Sequence, residues 1–273
     1  MKCHVCESDA NVFDPDMHLY RCDHCRHRFT KLPKDMQEKY DDSYFEGNHS
    51  NWFENPDFKL FEKVEGAIGK AGKNKGVHLL DVGCGRGDFL KWIHGRRPDW
   101  NLTGIDLAPN SHEGIRFIQG DVCTLQLKEK YDVITAFMVV EHLEEIGPFF
   151  SQMRKLLNPD GLFVVNTFND DSLMFRLARL LKKIGIQAAY ERLYSRHHLQ
   201  HYSKESIRKI IHLSGFEILE HRCHNYPLKA VDTPRAGKFI ELMYKGFVGL
   251  VFLLSDPLNQ GIEHTLICRP ASN

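Results

Sequence analysis

The stretch LLDVGCGRGDFL, residues 79–90, restricts what this chain can fold into more than any other part of the sequence. An apolar pair is followed by Asp81, three glycines then occur within five residues, and an apolar pair resumes after a second acid. Glycine lets the backbone turn sharply and approach a ligand where a side chain would collide. We therefore predict a buried strand, a turn at Gly83 and Gly85, and a helix that packs closely because of Gly87.

Short apolar runs alternate with helical patterns along the rest of the chain. Such alternation predicts a doubly wound α/β sheet, in which parallel strands are joined by crossover helices. The predicted strands are 77–82, 102–106, 115–119, 131–137, 161–167, 216–222 and 263–269, and the predicted helices between them are 86–95, 144–157 and 203–214. Another helix is predicted upstream, where Leu60, Val64 and Ile68 have helical spacing.

Three acidic residues follow three of the predicted strands. Asp81 precedes the glycine turn, where a carboxylate would repel phosphates but suits a cationic ligand that bears an amino acid. Asp106 ends the next strand, where an acid can bind both hydroxyls of a ribose. Asp121 follows the third strand, in a position to accept from an exocyclic amine such as that of adenine.

These motifs resemble those of class I S-adenosylmethionine-dependent methyltransferases. The resemblance rests on five stretches in order, LLDVGCGRGDFL, LTGIDLAP, FIQGDV, YDVITAFMVVEHL and LLNPDGLFVVNTFN. It implies a Rossmann-like sheet of seven strands with helices on both faces, whose last strand, supplied by EHTLICRP, runs antiparallel. The implied activity is methyl transfer, with S-adenosylmethionine as the cofactor.

The resemblance also implies which residues contact the cofactor. The methionine part would lie at the glycine turn, the ribose and adenine after the second and third strands, and the transferred methyl group after the fourth strand. The implied cofactor-binding residues are Asp81, Gly83, Cys84, Gly85, Asp106, Leu107, Asp121, Val122 and Phe137.

Methyl transfer to a hydroxyl requires alignment of the two reactants and removal of the hydroxyl proton. Glu141 and His142 follow the fourth strand, and His142 is the first candidate base, although the pair could instead cap a helix. His198 and His201, in the stretch SRHHLQHYS, are second candidates for a base or a substrate contact, or they are surface and capping histidines.

The VVEHL stretch also resembles ubiquinone-biosynthesis O-methyltransferases and small-RNA 2′-O-methyltransferases, which share the pattern E-x-x-E-H. In those families the acids and the histidine are metal ligands. Here Met138 stands in place of the first acid, and the loss of one oxygen ligand argues against a divalent-metal site.

Two C-x2-C pairs, fifteen residues apart, predict a separate unit at the N-terminus. Four thiolates at this spacing are typical of a zinc ribbon, whose closed tetrahedral shell leaves no position for a reacting water. We expect structural zinc, a ribbon over 1–34, a linker and lid over 35–75 and a methyltransferase domain over 76–273. The predicted zinc ligands are Cys3, Cys6, Cys22 and Cys25.

Two further stretches, at about 171–202 and 228–258, are predicted to be helical insertions that cap the site. In LMFRLARLLKKIG the leucines and Ile184 fall on one helical face and the basic residues on the other. This helix could be an ordinary lid, contact a membrane surface or bind an anionic substrate. With KFIELMYKGFVGLVFLL it could shelter a lipid-linked or bulky apolar substrate.

Charge and hydropathy exclude some functions. Lys plus Arg equals Asp plus Glu, 36 each, and residues 1–34 hold six basic and five acidic residues, so binding to nucleic acid is not expected. The N-terminus has no signal-peptide pattern, and the longest apolar run is shorter than the roughly 20 residues of a membrane span. We expect a cytoplasmic enzyme that methylates an oxygen of a small molecule, a glycan or a lipid-linked acceptor. The alternatives are a sugar C-methyltransferase, an RNA methyltransferase that uses the ribbon, and a non-catalytic cofactor-binding protein.

Overall fold

The computed structural model describes residues 1–33, 54–233 and 237–272. Residues 35–53 of the segment predicted as linker and lid, and the last residue of the predicted ribbon, lie outside the described residues. A small sheet near the N-terminus has the strand order β1-β2-β3-β9, and its strands are β1 (Ala10–Asp14), β2 (Leu19–Cys22), β3 (Arg28–Thr30) and β9 (Gln200–His201).

The central element is a mixed sheet of seven strands in the order β10-β11-β8-β7-β4-β5-β6. Its strands are β4 (His78–Val82), β5 (Asn101–Asp106), β6 (Arg116–Gln119), β7 (Tyr131–Phe137), β8 (Leu157–Phe168), β10 (Phe216–His224) and β11 (Glu263–Pro270). Strands β4 to β8 pair in parallel, whereas β11 is antiparallel to both of its neighbours. The predicted doubly wound α/β fold is confirmed, including its antiparallel last strand.

Strand β8 begins earlier than predicted. Leu157 pairs with Tyr131 and Leu162 pairs with Val133, so the intervening residues bulge within one strand. The sequence Asn-Pro-Asp-Gly in this bulge is typical of a turn, which is why the sequence pattern predicted the strand only from residue 161.

Helices cover both faces of the large sheet because its central strands are apolar on both sides. On one face lie α1 (Phe58–Lys70) and α2 (Asp88–Arg96), whose apolar residues pack with Leu79, Val133 and Val164. On the other face lie α3 (Ile146–Leu156) and α6 (Lys204–Leu213), which pack with the side chains of alternate strand positions such as Leu80 and Ile134.

Three helices form a cap over one end of the sheet: α4 (Leu173–Lys183), α5 (Ala188–Leu193) and α7 (Lys238–Ser255). The apolar face predicted for α4 is only partly covered by the rest of the protein. Leu180 and Ile184 are 58% and 69% exposed, and the buried side of α4 carries Phe175 and Ala178. Arg179 turns inward because it has a buried partner, described below. Within the described ranges, every helix is too short or too polar to span a bilayer.

The N-terminal unit is joined to the rest of the chain by strand pairing. β3 pairs antiparallel with β9, so that Arg28 lies opposite His201 and Phe29 lies opposite Gln200. The side chain of Gln200 also accepts a hydrogen bond of 2.9 Å at Oε1 from His27 Nε2. The last strand of the small sheet is therefore supplied from residues some 170 positions further along the chain.

A buried carboxylate links the small sheet to the cap. The side chain of Asp170, which follows β8, has no exposed surface and accepts from Arg28 of β3, Arg179 of α4 and the Tyr194 hydroxyl beside α5. Burial by itself raises the pKa of Asp170, but the two guanidinium groups hold it below its usual value. Asp170 is therefore ionised and neutralises two cations that the fold removes from water.

We expect Asp170→Asn to destabilise the protein by about 3–5 kcal/mol, because two largely buried guanidinium groups lose their counter-charge. Urea denaturation measures this difference. It should be fully present above the unfolded-state pKa of about 4 and shrink as the pH falls below it, because the folded-state pKa of Asp170 is lowered.

The matched control for Asp170 is Glu217→Gln, which breaks an exposed ion pair with Arg269. That substitution should cost less than about 1 kcal/mol. Equal losses for the two variants would contradict the role of Asp170 as a buried link.

Candidate active site

A cavity of about 680 Å³ opens where the parallel strands of the large sheet end. Its floor is formed by residues that follow β4, β5, β6 and β7, among them Gly83, Asp106 and Asp121. Its roof is formed by the cap, where Phe175 of α4 and Val248 of α7 face inward. Strand-end residues and cap residues thus line one continuous space.

The glycine turn after β4 has the conformation that its sequence predicts. Gly83 and Gly85 have φ of +64° and +51°, which disfavours any residue with a side chain. A Cβ on Gly83 would lie 2.4 Å from Val139 Cγ2, whereas nothing lies within 4 Å of the corresponding position on Gly85. Gly83 therefore permits close packing with the loop after β7, and Gly85 leaves the cavity open.

Asp106 lies at the cavity with both carboxylate oxygens fixed. Oδ2 accepts from the backbone N–H of Gly85 at 2.7 Å, and Oδ1 accepts from that of Ala108 at 2.9 Å. Each oxygen keeps a second lone pair. The arrangement suits two ligand hydroxyls side by side.

Asp81 is buried at a smaller cavity of about 140 Å³ that shares the glycine turn with the larger one. Burial raises the pKa of Asp81 to about 7, although the Thr135 hydroxyl donates to its Oδ1 at 2.6 Å and favours the charged form. The charges of Asp106 and Asp88 add to the increase. A cationic group in this cavity would stabilise the ionised form of Asp81.

The other predicted cofactor contacts surround these acids. Asp121 lines the cavity, and its Oδ1 accepts from the N–H of Cys123 at 2.8 Å. Cys84 lines only the smaller cavity, and its sulfur points toward Gly104 in the sheet. The remaining predicted residues all line the larger cavity: Leu107, Val122 and Phe137.

Two of the predicted catalytic histidines lie side by side in the cavity wall. The rings of His142 and His198 have their centroids 5.1 Å apart. His142 Nδ1 is 2.8 Å from the carbonyl oxygen of His197, which can only accept. Nδ1 therefore carries the proton, and the neutral ring has its basic lone pair on Nε2.

His201 lies outside the cavity lining, which contradicts its interpretation as a base or substrate contact. Its ring is 2% exposed, and Nε2 shares a hydrogen bond of 3.1 Å with the Thr30 hydroxyl of the small sheet. Burial lowers the pKa of His201 to about 4. His201 therefore stabilises the junction of β3 and β9.

Glu141 also lies outside the larger cavity's lining. Its side chain is fully buried, and Oε2 accepts from the Thr167 hydroxyl at 2.8 Å. Its carbonyl accepts from the N–H of Leu199 at 2.7 Å. Burial raises the pKa of Glu141 to about 8, so the carboxyl group is mostly protonated at neutral pH. Glu141 supports the 3-10 turn Val140–His142 and does not face the cavity.

The four N-terminal cysteines converge on one point. Three of the sulfur pairs are each 3.5 Å apart, and all four sulfurs lie within 4.8 Å of one another. A disulfide requires about 2.0 Å. Four sulfurs at about 2.3 Å from one tetrahedral ion are about 3.8 Å apart. The sulfurs of Cys3, Cys6, Cys22 and Cys25 are therefore too far apart for disulfides and close enough together to hold one metal ion.

The sequence did not indicate two residues at the cavities. Met138 lines both cavities and has a φ of +54°, which is uncommon for a residue other than glycine. Glu263, the first residue of β11, lines the smaller cavity, and burial raises its pKa to about 8. Its Oε2 accepts from Asn166 at 3.0 Å. The sequence patterns that contain Met138 and Glu263 did not place them at the cavities, because that position depends on which strand lies beside which.

A second group of possible metal ligands lies on β10 and β11, outside both cavities: His221, Cys223 and His264. Arg208 Nε donates to His221 Nδ1 at 3.0 Å, so the proton of the neutral ring is on Nε2 and is donated to His264 Nδ1, also at 3.0 Å. His264 Nε2 then donates to the Tyr202 carbonyl at 3.2 Å. Hydrogen bonds therefore satisfy both rings, and we assign this group a structural role.

Residues 35–221 match the model of a protein family that is described as Methyltransferase domain. The match covers more than half of the chain.

Among curated proteins, the ubiquinone biosynthesis O-methyltransferase of Azorhizobium caulinodans is 34% identical over 116 residues, which are 38% of this chain and 45% of that protein. The malonyl-[acyl-carrier protein] O-methyltransferase of Porphyromonas gingivalis is 28% identical over 120 residues, which are 42% of this chain and 47% of that protein. The chain spans about half the length of these curated relatives.

Among solved structures, magnesium protoporphyrin IX methyltransferase from Synechocystis PCC 6803 with bound SAH has a TM-score of 0.51 at 16% identity. The likeness covers 78% of this chain and 83% of that chain. At 16% sequence identity, this similarity shows a shared fold and nothing further.

We expect Gly83→Ala to destabilise the protein by about 2 kcal/mol or more, because its Cβ would collide with Val139 and because alanine is strained at positive φ. Gly85→Ala is the matched control, since it has the same strain and no collision, and it should cost about 1 kcal/mol. Urea denaturation compares the two. Because Gly85 faces the cavity, its substitution should mainly weaken S-adenosylmethionine binding in calorimetry. Equal stabilities of the two variants would contradict this packing.

We expect Glu141→Gln to become more stable relative to the parent protein as the pH rises. The unfolded-state pKa of a glutamate is about 4.3, and the folded-state pKa of Glu141 is about 8. Between these values the unfolded chain has released the proton and the folded chain still holds it, so the free energy of unfolding of the parent falls as the pH rises. Urea denaturation at about pH 5 and about pH 8 measures the change. The exposed neighbour variant Glu144→Gln should change stability by less than about 0.5 kcal/mol at both. A stability difference for Glu141→Gln that does not depend on pH would contradict a protonated, buried Glu141.

Proposed function

Because the chain belongs to the family of methyltransferase domains, we propose that it transfers a methyl group from S-adenosylmethionine to an oxygen of a bulky, largely apolar acceptor. The observation that carries this proposal is the continuity of the larger cavity. One end is lined by acids that suit a cationic nucleoside, and the other end by His142 and the apolar cap.

The strand-end side of the cavity fits the cofactor. Asp106 offers two fixed oxygens to the ribose hydroxyls, and Asp121 offers an acceptor to the adenine amine. At the smaller cavity, a cationic group of the cofactor would stabilise the ionised form of Asp81, whose pKa burial raises to about 7. S-adenosylmethionine, when bound, supplies an electrophilic methyl group on a positively charged sulfur. The residues of the chain thus bind the nucleoside and balance its charge.

His142 is the proposed general base. Since its Nδ1–H donates to the His197 carbonyl, Nε2 can take the proton of an acceptor hydroxyl while that oxygen bonds to the methyl carbon. The bond between that carbon and the sulfonium sulfur breaks in the same displacement, and its electron pair remains on sulfur. His198, whose Nδ1 is 3.4 Å from the Leu193 carbonyl, lies beside His142 and would orient the acceptor.

The cap side of the cavity favours an apolar acceptor. Phe168, Met174, Tyr226, Tyr244 and Ile262 contribute to its walls. These side chains offer large apolar surfaces and few hydrogen-bonding groups, which suits a ring or acyl chain better than a glycan. The names of the two curated relatives, which concern ubiquinone biosynthesis and an acyl-carrier protein, are consistent with such an acceptor.

A carboxylate is the second candidate acceptor. Arg192 of α5 lines the cavity at the cap end beside Asp232, 3.9 Å away, and its other donor groups could contact a negatively charged acceptor. A carboxylate is already deprotonated, so its methylation needs no base. The ribbon offers no comparable argument for RNA, because its charges balance and because β3, His27 and Arg28 face the rest of the protein.

We further propose that the four N-terminal cysteines hold one zinc ion with a structural role. The support is the convergence of their sulfurs in a closed shell of four thiols. The zinc content of the purified protein tests this assignment. Less than one zinc ion per chain after mild purification would contradict it.

We expect His142→Ala to lower kcat by about 10²- to 10⁴-fold with a hydroxyl acceptor while the Kd for S-adenosylmethionine stays unchanged. Release of S-adenosylhomocysteine with a panel of phenols, alcohols and carboxylic acids measures turnover, and calorimetry measures the Kd. The control is His112→Ala, because His112 is exposed and outside the cavity lining.

The outcomes of this experiment separate the candidates. Turnover with a carboxylic acid that survives in His142→Ala would favour the second candidate. Full turnover of His142→Ala with a hydroxyl acceptor would contradict the base assignment. Failure of the parent protein to bind S-adenosylmethionine would contradict the proposed function itself.

A further inference from the structure

The outer face of α7 is apolar although it is exposed. We define this face by six side chains that are each more than half exposed: Phe239, Leu242, Met243, Leu250, Leu253 and Leu254. At about 100° per residue they fall within an arc of about 120°, so they form one stripe along the helix. Contiguous apolar surfaces of this kind mark sites of contact with a partner or a membrane.

The inner face of the same helix lines the cavity. Tyr244 and Val248 contribute to the cavity wall, and Val248 and Phe252 pack with the buried residues of the cap. A single helix therefore separates the proposed acceptor site from the exposed apolar stripe. Whatever contacts the outer face of α7 lies within one helix diameter, about 10 Å, of that site.

The surroundings of this face carry positive charge. Residues 171–202 contain six Lys and Arg and two Asp and Glu, in a chain whose formal net charge is zero. Three of the six cations, Arg179, Lys182 and Arg192, are paired with Asp170, Asp14 and Asp232, so the exposed Arg176, Lys183 and Arg196 carry the remaining positive charge. α4, which packs against α7, presents exposed Lys183 and Arg176 beside its exposed Leu180 and Ile184. Lys238, at the start of α7, is also exposed. An apolar stripe with a basic border is the surface that an interfacial helix presents to anionic lipid.

We propose that the outer face of α7, together with the exposed residues of α4, binds the surface of an anionic lipid bilayer, so that the acceptor reaches the cavity from the membrane. The route of the acceptor rests on the proposed function, but the binding of lipid does not. α7 would lie in the plane of the interface, since Lys238, Glu241 and Lys245 occupy its first half.

A bilayer fits this face better than a second copy of the chain does. Two copies joined through α7 would bring the basic α4 helices of both copies toward the same interface, and like charges there would repel. Anionic headgroups have the opposite sign and attract the same residues. Each basic side chain near the membrane surface raises the affinity about fivefold.

The test is sedimentation of the purified full chain with vesicles of phosphatidylcholine mixed with phosphatidylglycerol, and with vesicles of phosphatidylcholine alone. We expect binding to the mixed vesicles and weaker binding to the neutral ones. Leu250→Glu and Leu253→Glu should each weaken binding by about tenfold or more, because a leucine would no longer enter the lipid. Lys183→Glu should weaken it by about fivefold or more and make it less dependent on salt.

Leu213→Glu is the matched control, since Leu213 is 64% exposed at the end of α6, away from the cap. It should bind vesicles like the parent. Calorimetry with S-adenosylmethionine should give the same Kd for all four variants, which shows that they are folded and separates this test from that of the proposed function.

Three results would overturn the proposal. One is a parent protein that binds S-adenosylmethionine but no vesicles. Another is equal vesicle binding by the parent, Leu250→Glu and Leu253→Glu. The third is a dimer in sedimentation velocity that Leu253→Glu converts to a monomer, since the outer face of α7 would then be covered by a second copy.

Discussion

The buried carboxylate of Asp170 is the contact on which the arrangement of ribbon, sheet and cap depends. It accepts from Arg28 of β3, 142 positions earlier in the chain, and from Arg179 and Tyr194 of the cap. Two guanidinium groups can be removed from water only if their charge is balanced, so these elements must meet at Asp170 or lose stability. Asp14 at the end of β1 makes a second contact of this kind, because it accepts from the Tyr190 hydroxyl at 2.8 Å. The ribbon is therefore part of the structure that positions α4 and α5.

The strand-end side of the cavity could be predicted because its residues are tied to local sequence. Gly83, Asp106 and Asp121 each follow a strand, and parallel strands bring their carboxyl ends to the same edge of the sheet. The order of strands and turns therefore predicts which side chains meet. Among the predicted cofactor contacts, Cys84 is an exception. Its sulfur turns toward Gly104 and away from the larger cavity.

The rest could not be predicted, because it depends on contacts between distant parts of the chain. His201 reads as a candidate base, but pairing of β9 with β3 buries it against Thr30. Arg179 reads as a solvated charge, but its partner Asp170 draws it inward and leaves Leu180 exposed. In each case a long-range partner overrides the local pattern. The same holds for α7, whose sequence indicates an apolar helix but not that the helix has a covered side and an exposed side.

With the proposed zinc ion bound to its four cysteines, the N-terminal sheet should hold the cap in place over the cavity. Hydrogen–deuterium exchange, measured before and after a chelator removes the metal, tests it most directly. We expect faster exchange in α4, α5 and β9 as well as in residues 1–33, and recovery when zinc is returned. Faster exchange confined to residues 1–33, or no change on chelation, would contradict it.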